Sequence, residues 1–326
     1  MINVAAIKSE FKDKRVVVLG LGLTGMSFVR FLAGNGIHFA VNDSRDAHSQ
    51  FKQFQEDYPE HQLTFGSWDS ALISSADVLL VSPGVDITLP EIAAHIGEQC
   101  DVMGDVELYA RLTASPKPIP TVAITGSNGK STVVNLIAHI GQTLGINTQL
   151  GGNVGVPVLD TLPIDSLRLD NAWLNGSSIN SIAAETELLV LELSSFQLET
   201  LYSLQANVCC ILNVSDDHLD RHKTLDTYHS LKQRIYQFAD IAVYNRDDAL
   251  TTPNNACATL ISFGCDQAID SRHFGLMDTD SGLMLAKGDK ELIPLAQLPI
   301  AGIHNATNCL VALAVGEQLG WPMANM

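Results

Sequence analysis

The residues best suited to chemistry lie between Ala123 and Thr132, AITGSNGKST. An apolar run, Thr121 to Ile124, reads as a buried strand. A turn of small residues follows, then Gly129-Lys130-Ser131, then a helical pattern from Thr132. Such a junction leaves backbone N–H groups unpaired at a helix N-terminus, where the helix dipole also favours an anion. Lys130 adds positive charge for β- and γ-phosphates, and Ser131 offers a hydroxyl to Mg²⁺. The strict nucleotide-loop pattern asks for Gly five residues before the Gly-Lys pair, where this chain has Ile124. A shorter loop with Gly126 and Gly129 is therefore expected. A plain Gly-rich turn with an exposed Lys is the weaker alternative.

A second constellation stands near the start. Gly20-Leu21-Gly22-Leu23-Thr24-Gly25 is a GxGxxG after a strand and before a helix, and Asp43 closes the next strand. This is a dinucleotide fingerprint with an acid placed to meet a ribose. It suggests NAD, yet specifies only a diphosphate at a helix N-terminus, which a UDP-sugar also presents. Ser82-Pro83-Gly84 would form another loop on the same carboxyl edge of the sheet. Further on, Glu192 ends the run LLVLEL, where a carboxylate can hold Mg²⁺ directly or through water. His218 in NVSDDHLDR could be a second metal ligand, although a lone loop His is more often polar surface. Its neighbours Asp216, Asp217 and Asp220 read as a solvated turn. Asn153 lies in a Gly-rich turn, LGGNVG, and Lys232 on a helix where exposure is the default.

These residues need a frame of strands and helices. Short apolar runs alternate with amphipathic stretches, the pattern of parallel sheets covered by helices. RVVVLG, IHFAVND, QLTF and ADVLLVS read as strands, with helices near Thr24 to Ala33 and Asp105 to Leu112. The proline cluster Ser115 to Pro120 marks a boundary and a hinge candidate. This predicts a Rossmann-like α/β domain over 1–117 and a P-loop-type α/β domain, mostly parallel, over 118–326. In the second, strands are expected at ELLVLELSSF, ANVCCILNVS, DIAVYN, ATLISF and GLMLAK, with helices over Thr224 to Phe238 and His304 to Leu319. Asp160 to Glu187 reads as a surface insertion.

The 326 residues suffice for two cores. A net charge of −17 argues against a sequence-independent grip on nucleic acid. No apolar run approaches the roughly 20 residues of a membrane span. The six cysteines form no C-x-x-C pair and read as reduced thiols, with Cys209 and Cys210 in a core strand. The expected setting is cytoplasmic.

In order along the chain, GLGLTG, VNDSR, SPG, MGDVEL, AITGSNGKST, LGGNVG, LELSSFQLE, ILNVSDDHLDR, LKQRIY and HNATN resemble the Mur ligases. These are ATP-dependent amide-forming enzymes of peptidoglycan precursor synthesis. LELSSFQLE and GLGLTG point to the branch that joins D-glutamate to UDP-N-acetylmuramoyl-L-alanine. The resemblance implies Leu23 and Thr24 at the diphosphate, and Asp43 and Ser44 at the uracil. The family usually has Thr where Ser44 stands. It also implies Gly84 and Asn153 at the UDP-substrate. Gly126, Ser127, Asn128, Gly129, Lys130, Ser131 and Thr132 would bind ATP phosphates, with Asn305 and Asn308 at the adenine. Ser131 and Glu192 would surround one Mg²⁺, and His218 and a carbamylated Lys232 another. Lys130, Glu192, His218 and Lys232 are thus the expected catalytic set in a monomeric enzyme without nucleic-acid or membrane partners. Family members carry a third domain after the HNATN helix that supplies much of the D-glutamate site, so this chain is expected to be a fragment. The rivals are a two-domain NAD-dependent dehydrogenase, which leaves Gly129-Lys130-Ser131 unused, and a non-catalytic nucleotide-binding module.

Overall fold

The computed structural model describes residues 9–46, 49–114, 118–162, 186–237, 239–254, 257–280 and 282–326. The chain divides into two compact units. One comprises Met1–Pro118, Val156–Glu185 and Glu199–Leu204, the other Ile119–Gly155, Thr186–Leu198 and Gln205–Met326. Of the expected hinge, Ser115, Pro116 and Lys117 lie outside the described residues, as does 163–185 of the expected insertion.

In the first unit, β1 (Val16–Leu19), β2 (Phe39–Asp43), β3 (Gln62–Phe65), β4 (Val78–Val81) and β5 (Asp101–Met103) alternate with helices. The helices are α1 (Leu23–Gly34), α2 (Ser49–Asp57), α3 (Ser70–Ser74), α4 (Pro90–Ala93) and α5 (Asp105–Thr113). The strands are all parallel in the order β3-β2-β1-β4-β5. VVVL and VLLV are buried throughout because helices cover both faces of such a sheet. The order reverses between β1 and β4, so a crevice opens at their carboxyl ends, where ligands bind open α/β sheets.

Two later segments also belong to this unit. In 156–162, Val158, Leu159 and Leu162 are buried, and Asp160 accepts from Arg30 Nε and Nη2 of α1 at 3.2 and 2.6 Å. The start of the expected surface insertion is therefore packed, because its apolar side chains meet partners distant in sequence. In Glu199–Leu204, the N–H groups of Tyr202 and Ser203 donate to Glu107 of α5 at 2.7 and 2.9 Å. Buried Glu107 also pairs with Arg111, as a buried charge requires.

The second unit holds β6 (Thr121–Thr125), α6 (Lys130–Thr143), β7 (Thr148–Gly152), β8 (Leu188–Glu192), α7 (Ser195–Glu199) and β9 (Ala206–Ile211). Then follow α8 (Leu219–His222), α9 (Leu225–Gln233), β10 (Ala239–Asn245) and β11 (Thr259–Phe263). These strands form a parallel sheet in the order β11-β10-β9-β6-β8-β7. Cys209 and Cys210 are core residues of β9. A separate antiparallel sheet joins β12 (Phe274–Thr279), β13 (Gly282–Lys287) and β14 (Lys290–Pro294), and α10 (Ile303–Gln318) follows. The sequence suggested only its middle strand. Helix α9 is shorter than expected, since Arg234–Tyr236 tightens into a 3₁₀ turn. Its start is capped by Thr224 Oγ1, which accepts from the Thr227 N–H at 3.1 Å. Among the described residues no helix is long and apolar enough to cross a membrane.

Candidate functional site

The loop between β6 and α6 sits at the carboxyl edge of the second unit's parallel sheet, with β9 and β8 on either side of β6. Gly129 precedes the helix at φ +86°, and the first intrahelical bond runs from the Val133 N–H to the Gly129 carbonyl. The N–H groups of Lys130, Ser131 and Thr132 therefore have no acceptor within the helix, and no side chain caps it. Such an uncapped N-terminus favours an anion. It is braced from the end of β9. Asn213 accepts from the Asn128 N–H at 2.8 Å and donates back to the Asn128 carbonyl at 3.0 Å. Ser127 Oγ accepts from the Ser215 N–H at 3.0 Å. A Cβ on Gly129 would stand 3.0 Å from Asn308 Oδ1, so the start of α10 closes one side of the loop. Asn308 in turn donates to Asn305 at 3.3 Å.

Two lysines converge on this loop. Lys130 Nζ donates to the carbonyls of Gly126 and Ser127, both at 2.9 Å. Lys232 Nζ donates to the same Gly126 carbonyl at 2.9 Å and lies 4.3 Å from the Tyr228 ring centroid. Burial disfavours the charge on both. For Lys130 the charges of Glu192 and Asp217 oppose that effect without cancelling it. Lys232 is 1% exposed, and Lys130's charge adds to burial, so its pKa falls to about 7 despite Asp217. The sequence expectation of an exposed helix lysine is overturned. The chain brings Lys232 inward because α9 packs its Tyr228 and Lys232 face toward the loop.

Glu192, also buried, ends β8 facing the start of α6. One carboxylate oxygen accepts from Ser131 Oγ and the other from Asn153 Nδ2, both at 2.8 Å. Three residues from separate parts of the sequence thus meet in one cluster. His218 is half exposed, in a left-handed conformation at φ +52°, with Asp217 at 3.5 Å and the Phe196 ring at 5.0 Å. Among the described residues none of its polar contacts runs to Glu192 or Lys232. Nor do three His, Cys, Asp or Glu side chains among them form a metal cage. A hydroxyl and a carboxylate beside an uncapped helix N-terminus nevertheless suit Mg²⁺. That ion commonly takes one or two carboxylates and completes its shell with water and substrate phosphates.

The first unit's loop is built differently. Ser82 Oγ at the end of β4 donates to the Gly20 carbonyl at 2.8 Å across the crevice. A Cβ on Gly25 would fall 1.9 Å from that same oxygen, so only glycine lets α1 approach this closely. No side chain caps α1, and the Met26 N–H makes its first intrahelical bond. Leu23 and Thr24 thus present N–H groups outward, while the Leu23 side chain is 78% exposed. Ser44 and Gly84 are exposed nearby on the same edge. Asp43 is buried, and its carboxylate accepts from the Leu21 N–H at 2.7 Å and from the Arg45 guanidinium and N–H. Burial raises its pKa, but the Arg45 and Leu21 bonds outweigh that and hold it below the ordinary value. Asp43 therefore braces its own loop.

Sequence reasoning missed Asn213, Arg45, Ser195, His222 and Tyr228. Asn213, Arg45 and Ser195 follow the ends of strands within three residues, a signal that could have found them, whereas His222 and Tyr228 lie on helices and carried none.

Family models match most of the chain. The Mur ligase middle domain covers residues 124–316, and the Mur ligase MurD-like N-terminal domain covers 14–104. The chain belongs to the Mur ligase family. Among curated Mur ligases, the UDP-N-acetylmuramoylalanine–D-glutamate ligase of Colwellia psychrerythraea (strain 34H) is 44% identical over 97% of this chain. That of Acinetobacter baylyi is 42% identical over 95%. The chain spans 66% and 63% of these relatives' own length. The crystal structure of UDP-N-acetylmuramate:L-alanyl-gamma-D-glutamyl-meso-diaminopimelate ligase from Neisseria meningitides aligns with a TM-score of 0.59 at 14% identity. It covers 96% of this chain and 95% of that one, a likeness of fold.

Proposed function

We propose that this chain carries the two nucleotide sites of an ATP-dependent ligase that adds D-glutamate to UDP-N-acetylmuramoyl-L-alanine. The observation that carries this reading is the convergence of Lys130, Lys232, Ser131 and Glu192 on one phosphate loop. A nucleotide site with an acid and two lysines suits phosphoryl transfer, whereas a passive module needs only the cradle. The names of the curated relatives supply the substrates.

In this reading the first unit takes the uridine nucleotide. Its diphosphate lies on the N–H groups at Leu23 and Thr24, and its uracil beside Ser44 and the Asp43–Arg45 brace, with Gly84 leaving open backbone nearby. The second unit takes ATP, with phosphates on residues 126–132, adenine at Asn305 and Asn308, and Asn153 toward the substrate. The terminal carboxylate of the UDP-substrate attacks the γ-phosphorus, and the bond to ADP breaks to give an acyl phosphate. The D-glutamate amine then attacks the acyl carbon, loses a proton and releases phosphate. Lys130 offsets the repulsion between carboxylate and polyphosphate and stabilises the charge of the transferring group. Ser131 and Glu192 would hold one Mg²⁺, and His218 and Lys232 another, supplying further neutralisation of that charge. Lys232, readily neutral near pH 7, can add CO₂ and release a proton, turning an amine into a carboxylate fit for a cation. A cytoplasmic monomer without nucleic-acid or membrane partners completes the proposal.

Hydroxylamine trapping tests it. The full-length protein with ATP and UDP-N-acetylmuramoyl-L-alanine, without D-glutamate, should yield a hydroxamate and ADP. No hydroxamate, or fluorescence transfer on titration with NADH, overturns the reading.

A further inference from the structure

His222 is used by nothing in the proposed reaction, yet it occupies the middle of an unbroken stack of rings tilted 30–50° from one another. The His218 ring lies 5.0 Å from Phe196, Phe196 lies 5.2 Å from His222, and His222 lies 5.3 Å from Tyr228. The Tyr228 ring then faces Lys232 Nζ at 4.3 Å. The stack therefore begins and ends on the two residues assigned to one cation. It is pinned sideways at two places. Ser195 Oγ and His222 Nε2 are 2.8 Å apart, three residues after Glu192. Tyr228 Oη and Ser127 Oγ in the phosphate loop are 3.3 Å apart. The His218 carbonyl also accepts from the N–H groups of Arg221 and His222 at 3.0 and 2.9 Å, which holds His218 in its left-handed conformation. Arg221 lies over Phe196 with its guanidinium carbon 5.3 Å from the ring centroid.

We propose that His222 is a positioning residue for the cation site: through the stack and the Ser195 pin it sets the separation of His218 from Lys232 and from Glu192. The inference rests on the nucleotide-site reading above. Its physical basis is that groups orienting metal ligands fix the ligand geometry, and losing one typically costs about 10- to 100-fold in metal affinity. An aromatic cluster serving only to pack would stabilise the loop after β9 and leave cation affinity to the nucleotide alone.

Mn²⁺, used as the paramagnetic probe for Mg²⁺, separates these cases. It is titrated into the full-length protein with ADP and followed by electron paramagnetic resonance, while metal-free ADP affinity is measured by calorimetry. For His222→Ala the Mn²⁺ affinity of the ADP complex should fall about 10- to 100-fold with metal-free ADP affinity unchanged. His222→Phe, which keeps a ring in the stack, should recover most of that loss. Ser195→Ala, which removes only the pin, should show a smaller fall of the same kind and stands in if His222→Ala does not fold. Mn²⁺ affinity indistinguishable from wild type in these variants overturns the inference, as does an equal loss of metal-free ADP affinity. If the wild type binds no Mn²⁺ with ADP, the nucleotide-site reading itself fails, and the inference with it.

Discussion

The two glycine loops of this molecule share a plan and differ in everything placed around it. Each follows the central strand of a parallel sheet and opens an uncapped helix. At Gly20–Gly25 the acid Asp43 is taken up by Arg45 and the Leu21 N–H. At Gly126–Lys130 two lysines share one carbonyl and a buried carboxylate takes the first hydroxyl of the helix. In the proposed reading this contrast separates holding a diphosphate from moving a phosphoryl group. Backbone N–H groups suffice for the first. The second needs charges brought in from other elements, here Lys232 of α9 and Glu192 of β8.

The largest test of this contrast is Lys130→Ala, which should cost about 10²- to 10³-fold in hydroxamate formation by the full-length protein. Calorimetry should show its UDP-substrate affinity unchanged; a parallel loss would erase the distinction between the loops. Gly25→Ala is the mirror experiment. The added Cβ must displace the Gly20 carbonyl, at roughly 3 kcal/mol in urea unfolding of the first unit. UDP-substrate binding should disappear while ATP binding persists. Glu192→Gln breaks the comparison at a single atom. It removes the charge beside Ser131 and should weaken Mn²⁺·ADP binding by about 2 kcal/mol, with little change in metal-free ADP affinity.

Smaller effects sharpen the contrast through pH. Lys232 has a pKa near 7 in the fold against its ordinary 10.5. Below about 7 both folded and unfolded chains carry the proton, and the cost of burying that charge is fully present. As pH rises from about 7 toward 10.5 the unfolded chain binds more protons, so stability should rise. Lys232→Met should flatten that rise in chemical unfolding at several pH values. Asp43 acts with the opposite requirement: held below its ordinary pKa, it stabilises above that pKa, and the contribution fades as pH falls through the folded value. Asp43→Asn should cost about 1–2 kcal/mol near neutrality and remove this acid-side dependence.

Much of the frame was legible. VVVL, VLLV, and the LLVL and VCCI of LLVLE and ANVCCI are continuous apolar runs, as strands buried on both faces of a sheet require, and each became part of one. The antiparallel sheet was largely illegible, because FGLMDT and KELIP have no strong alternation and are defined by pairing with β13. In the site, Lys130, Ser131 and Glu192 stood out because each borders a strand end. Lys232 and His222 did not, because a polar residue on a helix reads as exposed until the helix has a neighbour.

From the chain's linear order one could infer both anion cradles. A strand, a glycine turn and a helix start expose N–H groups through bonds made within a few residues. What surrounds those cradles was decided by the tertiary structure alone. Lys232 reaches Gly126 across 106 positions, Asn153 reaches Glu192 across 39, and 156–162 and Glu199–Leu204 join the first unit instead of the second. Convergence of that kind depends on strand order and helix packing, which no local pattern encodes.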